Sequence, residues 1–258
     1  MSKKANTSWG KVADWYADHL QDEDTYHNKV ILPNLLRLLD LKKSETVLEL
    51  GCGEGIFTRE IAGLAKRVTG VDLSAELIDL AVTAAEKLNL KNVEYFVAPA
   101  SQTDLPAQSF DKALIVLALQ NIKDMNETIA ELARLMKKGS RAYIVLNHPN
   151  YRIIGQSSWQ FDEKKNIQYR RTDSYMTESQ NKIDMAPGKK NKTTDSFTFS
   201  FHRPLQVYFK AFQKNGLVVS RLEEWISHKK SEKGTRQTAE DNARKEFPLF
   251  MTIELLKL

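Results

Sequence analysis

Apolar positions along the chain switch between a helical step and a strand-like run, and the switches come at regular intervals. Trp9, Val12, Ala13, Tyr16 and Leu20 recur every three or four residues, which predicts a helix with one apolar face over 9–20. A leucine-rich run, Val30 to Leu41, predicts a second. Val47 to Leu50 reads as a strand, Ile56, Phe57, Ile61 and Leu64 as a helix, and Arg67 to Val71 as a strand again. Ser74 can cap a helix whose Leu77, Ile78, Ala81 and Ala85 share a face, and Val93 to Val97 is a third strand. Phe110 to Leu117 is apolar almost throughout, as expected of a parallel strand covered on both faces. Ile122 to Lys138 predicts a helix with Ile129, Leu132 and Leu135 on one side and Gly139 as its left-handed cap, followed by a fifth strand, Arg141 to Leu146. Such strict alternation predicts an α/β fold, a doubly wound and mostly parallel sheet.

After residue 147 the pattern changes. Residues 148–200 are polar, with two alternating stretches, Ile167 to Tyr175 and Ser196 to Phe201, the second placing Phe197, Phe199 and Phe201 on one strand face. A segment of this length there predicts an inserted lid or substrate region, its tip spanning Lys182 to Thr194. His202-Arg203-Pro204 then opens a helix with Leu205, Tyr208, Phe209 and Phe212 inward and Gly216 beyond its end. Leu217 to Ile226 and Leu249 to Leu256 predict two final strands. The resulting division is 1–44 as N-terminal helices capping a cleft, 45–147 as the core, 148–201 as the lid and 202–258 as completion of the sheet.

Composition narrows this picture only slightly. The 258 residues carry a net charge of +5, too weak and too dispersed to argue for nucleic acid, and one cysteine, Cys52, which leaves no intrachain disulfide. The opening residues lack the apolar core of a signal peptide, and the longest apolar run, Ala113 to Leu119, is too short to span a bilayer. These features point to a cytoplasmic protein without a membrane partner. They set no oligomeric state.

The chemistry concentrates where the first strand ends. Thr46-Val-Leu-Glu-Leu-Gly-Cys-Gly-Glu-Gly55 runs from a strand into a loop with glycines at 51, 53 and 55, and a helix leaves it. A tight turn after a strand needs positive φ, and a ligand lying on the backbone needs bare Cα atoms. The next strand ends in Asp72, 21 positions after Gly51 (72 − 51), near the spacing of about 20 at which a carboxylate reaches ribose hydroxyls. The dinucleotide fingerprint would need a glycine at position 56, where the chain has Ile56, so a dehydrogenase is disfavoured.

ELGCGEG with GVDLS downstream resembles motifs I and II of the class I S-adenosylmethionine-dependent methyltransferases, of the small-molecule, methyltransferase type 11/25-like kind, over about residues 45–147. The resemblance implies a Rossmann-like seven-stranded sheet with an antiparallel last strand and S-adenosyl-L-methionine as cofactor. It implies cofactor contacts at Glu49, Gly51, Cys52, Gly53, Gly55, Asp72, Leu73, Ala100, Ser101, Val116 and Leu117. One departure stands out: four residues before Leu105-Pro106, where the family commonly has an adenine-binding aspartate, this chain has Ser101. In related enzymes the leading helices cover the cleft, which would bring Trp15, Tyr16, Tyr26 and His27 toward the methyl group.

Methyl transfer from a sulfonium asks chiefly for alignment and exclusion of water, with a base only where the acceptor must lose a proton. Of the five histidines, topology places His27, His148 and His202 near the cleft, and His148, directly after the fifth strand, ranks first; Tyr16 completes the candidate catalytic set. Asn147-His-Pro-Asn-Tyr151 lacks the double proline and the fourth-strand position of the amino-methylating N-P-P-Y signature. No Cys/His cluster has metal-ligand spacing. The expected acceptor is a small molecule. The competing expectations are RNA or protein methylation, with Arg170, Arg171 and the Lys189-Lys190-Asn191-Lys192 tip as the contact surface, and a non-catalytic protein that binds the same nucleoside.

Overall fold

The computed structural model describes residues 24–184 and 197–258. The expected helix over 9–20, with Tyr16, and the lysine-rich tip at 189–192 lie outside the described residues.

A π-helical turn, His27–Ile31, leads into α1 (Leu32–Leu39). Then follow β1 (Thr46–Leu50), α2 (Ile56–Ala62), β2 (Arg67–Asp72), α3 (Ala75–Lys87), β3 (Val93–Val97) and β4 (Phe110–Val116). The chain continues through α4 (Met125–Leu135), β5 (Met136–Asn147), β6 (Ser157–Asp162), β7 (Ile167–Thr172), β8 (Ser179–Asp184) and β9 (Phe197–His202). It closes with α5 (Leu205–Lys214), β10 (Leu217–Trp225), α6 (Gln237–Glu246) and β11 (Phe250–Lys257). Seven strands make one sheet in the order β10-β11-β5-β4-β1-β2-β3. β11 runs antiparallel to both neighbours, while β1 pairs parallel with β2 and β4, and β4 with β5. The sheet is therefore Rossmann-like and mostly parallel, with an antiparallel last strand.

Period-two alternation sorts the strand side chains onto two cores. Leu48, Leu50, Ala113, Ile115, Ala142, Ile144 and Leu146 pack with α4 and α5 on one face. Val47, Leu114, Val116, Tyr143 and Val145 pack with α1 and α2 on the other. Each fully buried leucine or isoleucine contributes roughly 1.5–3 kcal/mol, so neither face can be uncovered cheaply. The order β4-β1-β2 places the carboxyl end of β1 between those of β2 and β4, the topological switch point at which ligands of open α/β sheets bind.

Several expectations need correction. The fourth helix ends at Leu135 rather than Lys138, because Gln108 and Ser109 donate their backbone N–H groups to the carbonyls of Arg134 and Leu135 (3.0 and 2.9 Å) and Met136 already pairs with Phe110 in the ladder. Gly139 does have φ +76°, but inside β5, where the register against β4 shifts, and not as a helix cap. Phe209 is 37% exposed and lies against Phe212 at 6.0 Å, so it is not a core position, whereas Tyr208 and Phe212 are buried.

The described residues of 148–202 form two antiparallel strand pairs, β6-β7 and β8-β9. On β9 the expected alternation holds: Thr198, Ser200 and His202 share the buried face, and Phe197, Phe199 and Phe201 the other, with Phe199 exposed. β6, β8 and α6 were not anticipated.

Candidate active site

The loop after β1 is held by backbone contacts and turns through three glycines at positive φ. Gly51 and Cys52 donate their N–H groups to the Val71 carbonyl at 2.7 and 3.0 Å, tying the loop to the end of β2. Gly51, Gly53 and Gly55 have φ of +72°, +55° and +75°. Their surroundings differ. A Cβ on Gly51 would stand 2.6 Å from the Ala118 Cβ, one on Gly55 would strike the Tyr95 ring, and one on Gly53 would meet nothing within 4 Å. Gly53 is thus the glycine whose bare face stands open, while the other two let β4 and β3 close in. Gly55 also caps α2, with Arg59 N–H on its carbonyl at 2.9 Å.

Asp72 sits opposite. One carboxylate oxygen accepts the N–H of Gly53 and the other that of Ser74, both at 2.9 Å. Burial raises its pKa, opposed by these backbone N–H groups. A carboxylate offers about four acceptor sites, so capacity remains for hydroxyl donors. Glu49, on β1, is 1% exposed and takes a hydrogen bond from the Thr58 hydroxyl. Its pKa is pushed up to about 8, first by burial, and Asp72 adds to the rise. Cys52 is buried, with Sγ 3.7 Å from the Gly53 carbonyl and its pKa raised by the same desolvation. The thiol is packing, not a nucleophile.

These groups border a cavity of about 700 Å³, within the 300–1,000 Å³ usual for small-molecule sites. Glu49, Gly51, Cys52, Gly53, Asp72, Leu73, Ala100, Ser101, Val116 and Leu117 all line it; Gly55 does not, being turned to Tyr95. The Ala100-Ser101 stretch is fastened from below: Thr103 donates N–H and hydroxyl to Glu131 at 2.8 and 2.6 Å, and Arg134 reaches the carbonyls of Thr103 and Leu105. Leu117 has φ +52°, a costly conformation for leucine, and is held there by its N–H on the Val145 carbonyl and by Gln120 Nε2, which donates to the Leu117 carbonyl at 2.7 Å.

The candidate acid–base residues separate. His27 lines the cavity, its ring 5.9 Å from that of Phe57. His148 does not, which overturns its first rank. The residue is 4% exposed, Nδ1 accepts the N–H groups of Asn150 and Tyr151, and Nε2 therefore donates to Glu224 at 2.7 Å. Burial holds its pKa below the usual histidine value. His202 is also absent from this cavity: it lies on the buried face of β9 and donates from Nε2 to the Tyr175 carbonyl at 2.8 Å. Tyr16 is outside the described residues.

Sequence reasoning missed Gln180 and Thr198 on the cavity wall, while Ala118 and Asn121 belong to the stretch Val116 to Asn121 that was expected to border the cleft. It singled out Phe199 and Phe201 only as a strand face. The alternation on β9 was the available signal.

Arg170 and Arg171 do not share a surface, contrary to the RNA-contact expectation. Arg171 pairs with Asp173 at 3.1 Å, while Arg170 turns inward to the Tyr151 carbonyl. Among the described residues no helix is long and apolar enough to cross a membrane, and no group of three or more His, Cys, Asp or Glu could hold a metal ion.

Known proteins agree with this geometry. The family described as "Methyltransferase domain" matches residues 48–144. A demethylmenaquinone methyltransferase of Tropheryma whipplei is 28% identical over 114 residues, 44% of this chain and 46% of the relative. A ubiquinone biosynthesis O-methyltransferase of Coxiella burnetii is 32% identical over 110 residues, 43% of this chain and 47% of the relative. The matched stretch thus spans about half the length of these relatives. In fold, an S-adenosylmethionine-dependent methyltransferase from Mesorhizobium loti superposes with a TM-score of 0.67 at 22% identity, over 86% of this chain and 95% of that one. Residues 48–144, which hold the glycine loop and Asp72, thus match a methyltransferase domain, and the sheet around them has the fold of the S-adenosylmethionine-dependent methyltransferases.

Proposed function

We propose that the protein transfers a methyl group from S-adenosyl-L-methionine to a small-molecule acceptor. The observation that carries this is the pairing of the open face of Gly53 with the Asp72 carboxylate on one wall of a 700 Å³ cavity at the sheet's switch point. The residues fit the nucleoside. Asp72 has acceptor capacity for the ribose hydroxyls, Gly53 lets the methionine part lie on the backbone, and Ala100 and Ser101 border the place left for the base. Without the family's usual aspartate there, adenine is held by the Ser101 hydroxyl and backbone groups. The names of the two relatives, both quinone-pathway methyltransferases, favour a small acceptor over a macromolecule.

The bound sulfonium supplies a methyl group that carries its own leaving group. The chain's part is to orient and to keep water out. Glu49, buried and protonated without ligand at neutral pH, can ionise beside a cation, so a positive ligand converts an unfavourable burial into an ion pair. His27 is the described histidine placed to take a proton from a hydroxyl or ammonium acceptor. Phe199 and Phe201, from the lid, cover the cavity with apolar surface.

The test is turnover. Full-length protein incubated with S-adenosyl-L-methionine and pools of phenols, small acids and amines is expected to release S-adenosyl-L-homocysteine with at least one pool. His27→Ala would lower the rate by about 10²–10⁴-fold if the acceptor is deprotonated in the reaction. Release of no product above the no-acceptor background with any pool, by protein that binds the nucleoside, would contradict the small-molecule assignment.

A further inference from the structure

A second cavity, of about 380 Å³, lies between the lid hairpins and the ends of β4 and β5, and methyl transfer as described leaves it without a role. Its wall brings Arg152, Arg170 and Arg203 together and, among the described residues, contains no aspartate or glutamate. The three come from the turn after β5, from β7 and from the link between β9 and α5, so the cluster is a product of folding, not of a basic run in the sequence.

Each guanidinium is held by neutral groups. Arg152 Nη1 donates to Asn147 Oδ1 at 2.6 Å, Arg170 to the Tyr151 carbonyl at 2.7 Å and the Ser157 hydroxyl at 2.8 Å, and Arg203 Nη2 to the carbonyls of Ile122 and Lys123, each at 2.9 Å. Aromatic rings fix their planes: Phe250 under Arg152 at 5.4 Å, Trp159 under Arg170 at 5.2 Å and Phe201 under Arg203 at 5.1 Å. None of the three is in an ion pair among the described residues. Arg203 is buried, Arg170 half-buried and Arg152 exposed, so the cost of leaving this cluster without a counter-charge falls chiefly on Arg203.

Two atoms of this wall are unfinished. Arg203 is 6% exposed and its Nη1 has no partner; Gln120 is 7% exposed and its Oε1 has none, its Nε2 being committed to the Leu117 carbonyl. A donor and an acceptor left open in one buried wall describe a ligand with an oxyanion and a hydrogen-bond donor near it. The cavity also touches the first. Phe201 lines both, and the neighbours Gln120 and Asn121, like Asn181 and Gln180, face one cavity each.

We propose that the second cavity is the acceptor subsite and that the acceptor carries an oxyanion, a carboxylate or a phosphate, clamped by Arg152, Arg170 and Arg203. This rests on the reading of the first cavity as the nucleoside site. Guanidinium forks match the planar, two-oxygen edge of either anion, and the clamp holds that end while the rest of the molecule extends past Phe201 toward the methyl donor.

The experiment is calorimetry on the full chain in chloride-free buffer, with inorganic phosphate and benzoate as probes and benzamide as the neutral control. Wild type, Arg170→Met and Arg152→Met are compared, and S-adenosyl-L-homocysteine is titrated into each preparation. These two variants spare Arg203, whose contacts tie the lid to the Ile122-Lys123 turn, and a melting curve verifies folding. At least one anion is expected to bind wild type, with benzamide weaker by about tenfold or more, and each variant to lose about tenfold, the scale of a charge-assisted hydrogen bond, with nucleoside affinity unchanged. Binding of phosphate alone assigns a phosphorylated acceptor, and binding of benzoate alone a carboxylic acid. If neither anion binds folded wild type, or folded variants bind it as tightly, the subsite is overturned. Anion binding without nucleoside binding would instead sink the methyltransferase reading and leave the anion site standing.

Discussion

Gly51 and Gly53 share a loop and a backbone conformation, yet alanine at the two positions should fail in different ways. At either, an L side chain at positive φ costs roughly 1–2 kcal/mol, offset by about 0.4–1 kcal/mol from a stiffer unfolded chain. At Gly51 the new Cβ also falls 2.6 Å from the Ala118 Cβ, and overpacking of that kind adds about 1–3 kcal/mol. Gly51→Ala should therefore cost roughly 2–4 kcal/mol, a fall in melting temperature of about 5–15 °C for a chain of this size. At Gly53 nothing lies within 4 Å, so Gly53→Ala should lose no more than about 1.6 kcal/mol, or at most roughly 3–6 °C. Its methyl group would stand where the ligand backbone lies, and affinity for S-adenosyl-L-homocysteine should drop by about tenfold or more. Differential scanning fluorimetry and calorimetric titration of both variants separate the effects. If Gly53→Ala is the less stable of the two, or binds the nucleoside as wild type does, the assigned roles of the two glycines are wrong.

Glu49 should make the ligand-free protein less stable as pH rises. Its folded pKa, about 8, lies above the model-peptide value of 4.5, so its contribution is complete below pH ~4.5 and fades as pH rises to about 8. The upper bound is roughly 5 kcal/mol, and Glu49→Gln should show a markedly flatter profile of denaturant midpoint between pH 5 and 8; parallel profiles would refute the burial argument. Glu131 acts in the opposite sense. Burial raises its pKa, but bonds from Arg134 and Thr103 outweigh this and leave it lowered, so the stability it lends is present above pH ~4.5 and is lost in acid. Glu131→Gln should accordingly weaken the protein at pH 7 more than at pH 3, as urea midpoints would show. His148→Ala should cost about 1–3 kcal/mol by orphaning the Asn150 and Tyr151 N–H groups, yet leave kcat/KM within a few-fold of wild type; a hundredfold loss in a folded variant would restore a catalytic role.

The parts of the fold that obey a single periodicity were legible in the sequence. The strand from Val93 to Val97 and the α3 face of Leu77, Ile78, Ala81 and Ala85 appear as expected, and the Ser74 hydroxyl accepts the Leu77 N–H at 3.3 Å. The positive φ of Gly51, Gly53 and Gly55 was legible because a tight turn directly after a strand needs it, and Asp72 ends β2 as expected. β8, Ser-Gln-Asn-Lys-Ile-Asp, carries almost no apolar signal, and its pairing with β9 is a tertiary fact. α6 buries only Ala239 and Ala243, too thin a stripe to register as amphipathic. His148 misled because chain position places its Cα near the cleft, while the turn that follows folds its ring onto Glu224. The arginine cluster escaped notice for a related reason: Arg152, Arg170 and Arg203 meet only when both hairpins are folded.

The central claim is that the loop after β1 and Asp72 hold an S-adenosyl nucleoside between them. Calorimetric titration of S-adenosyl-L-homocysteine into wild type and into folded Asp72→Ala tests it most directly. The account predicts one site per chain for wild type and a loss of about tenfold or more in the variant, as removal of hydrogen bonds to a charged group implies. No heat of binding to wild type, or equal affinity in the two proteins, would contradict it.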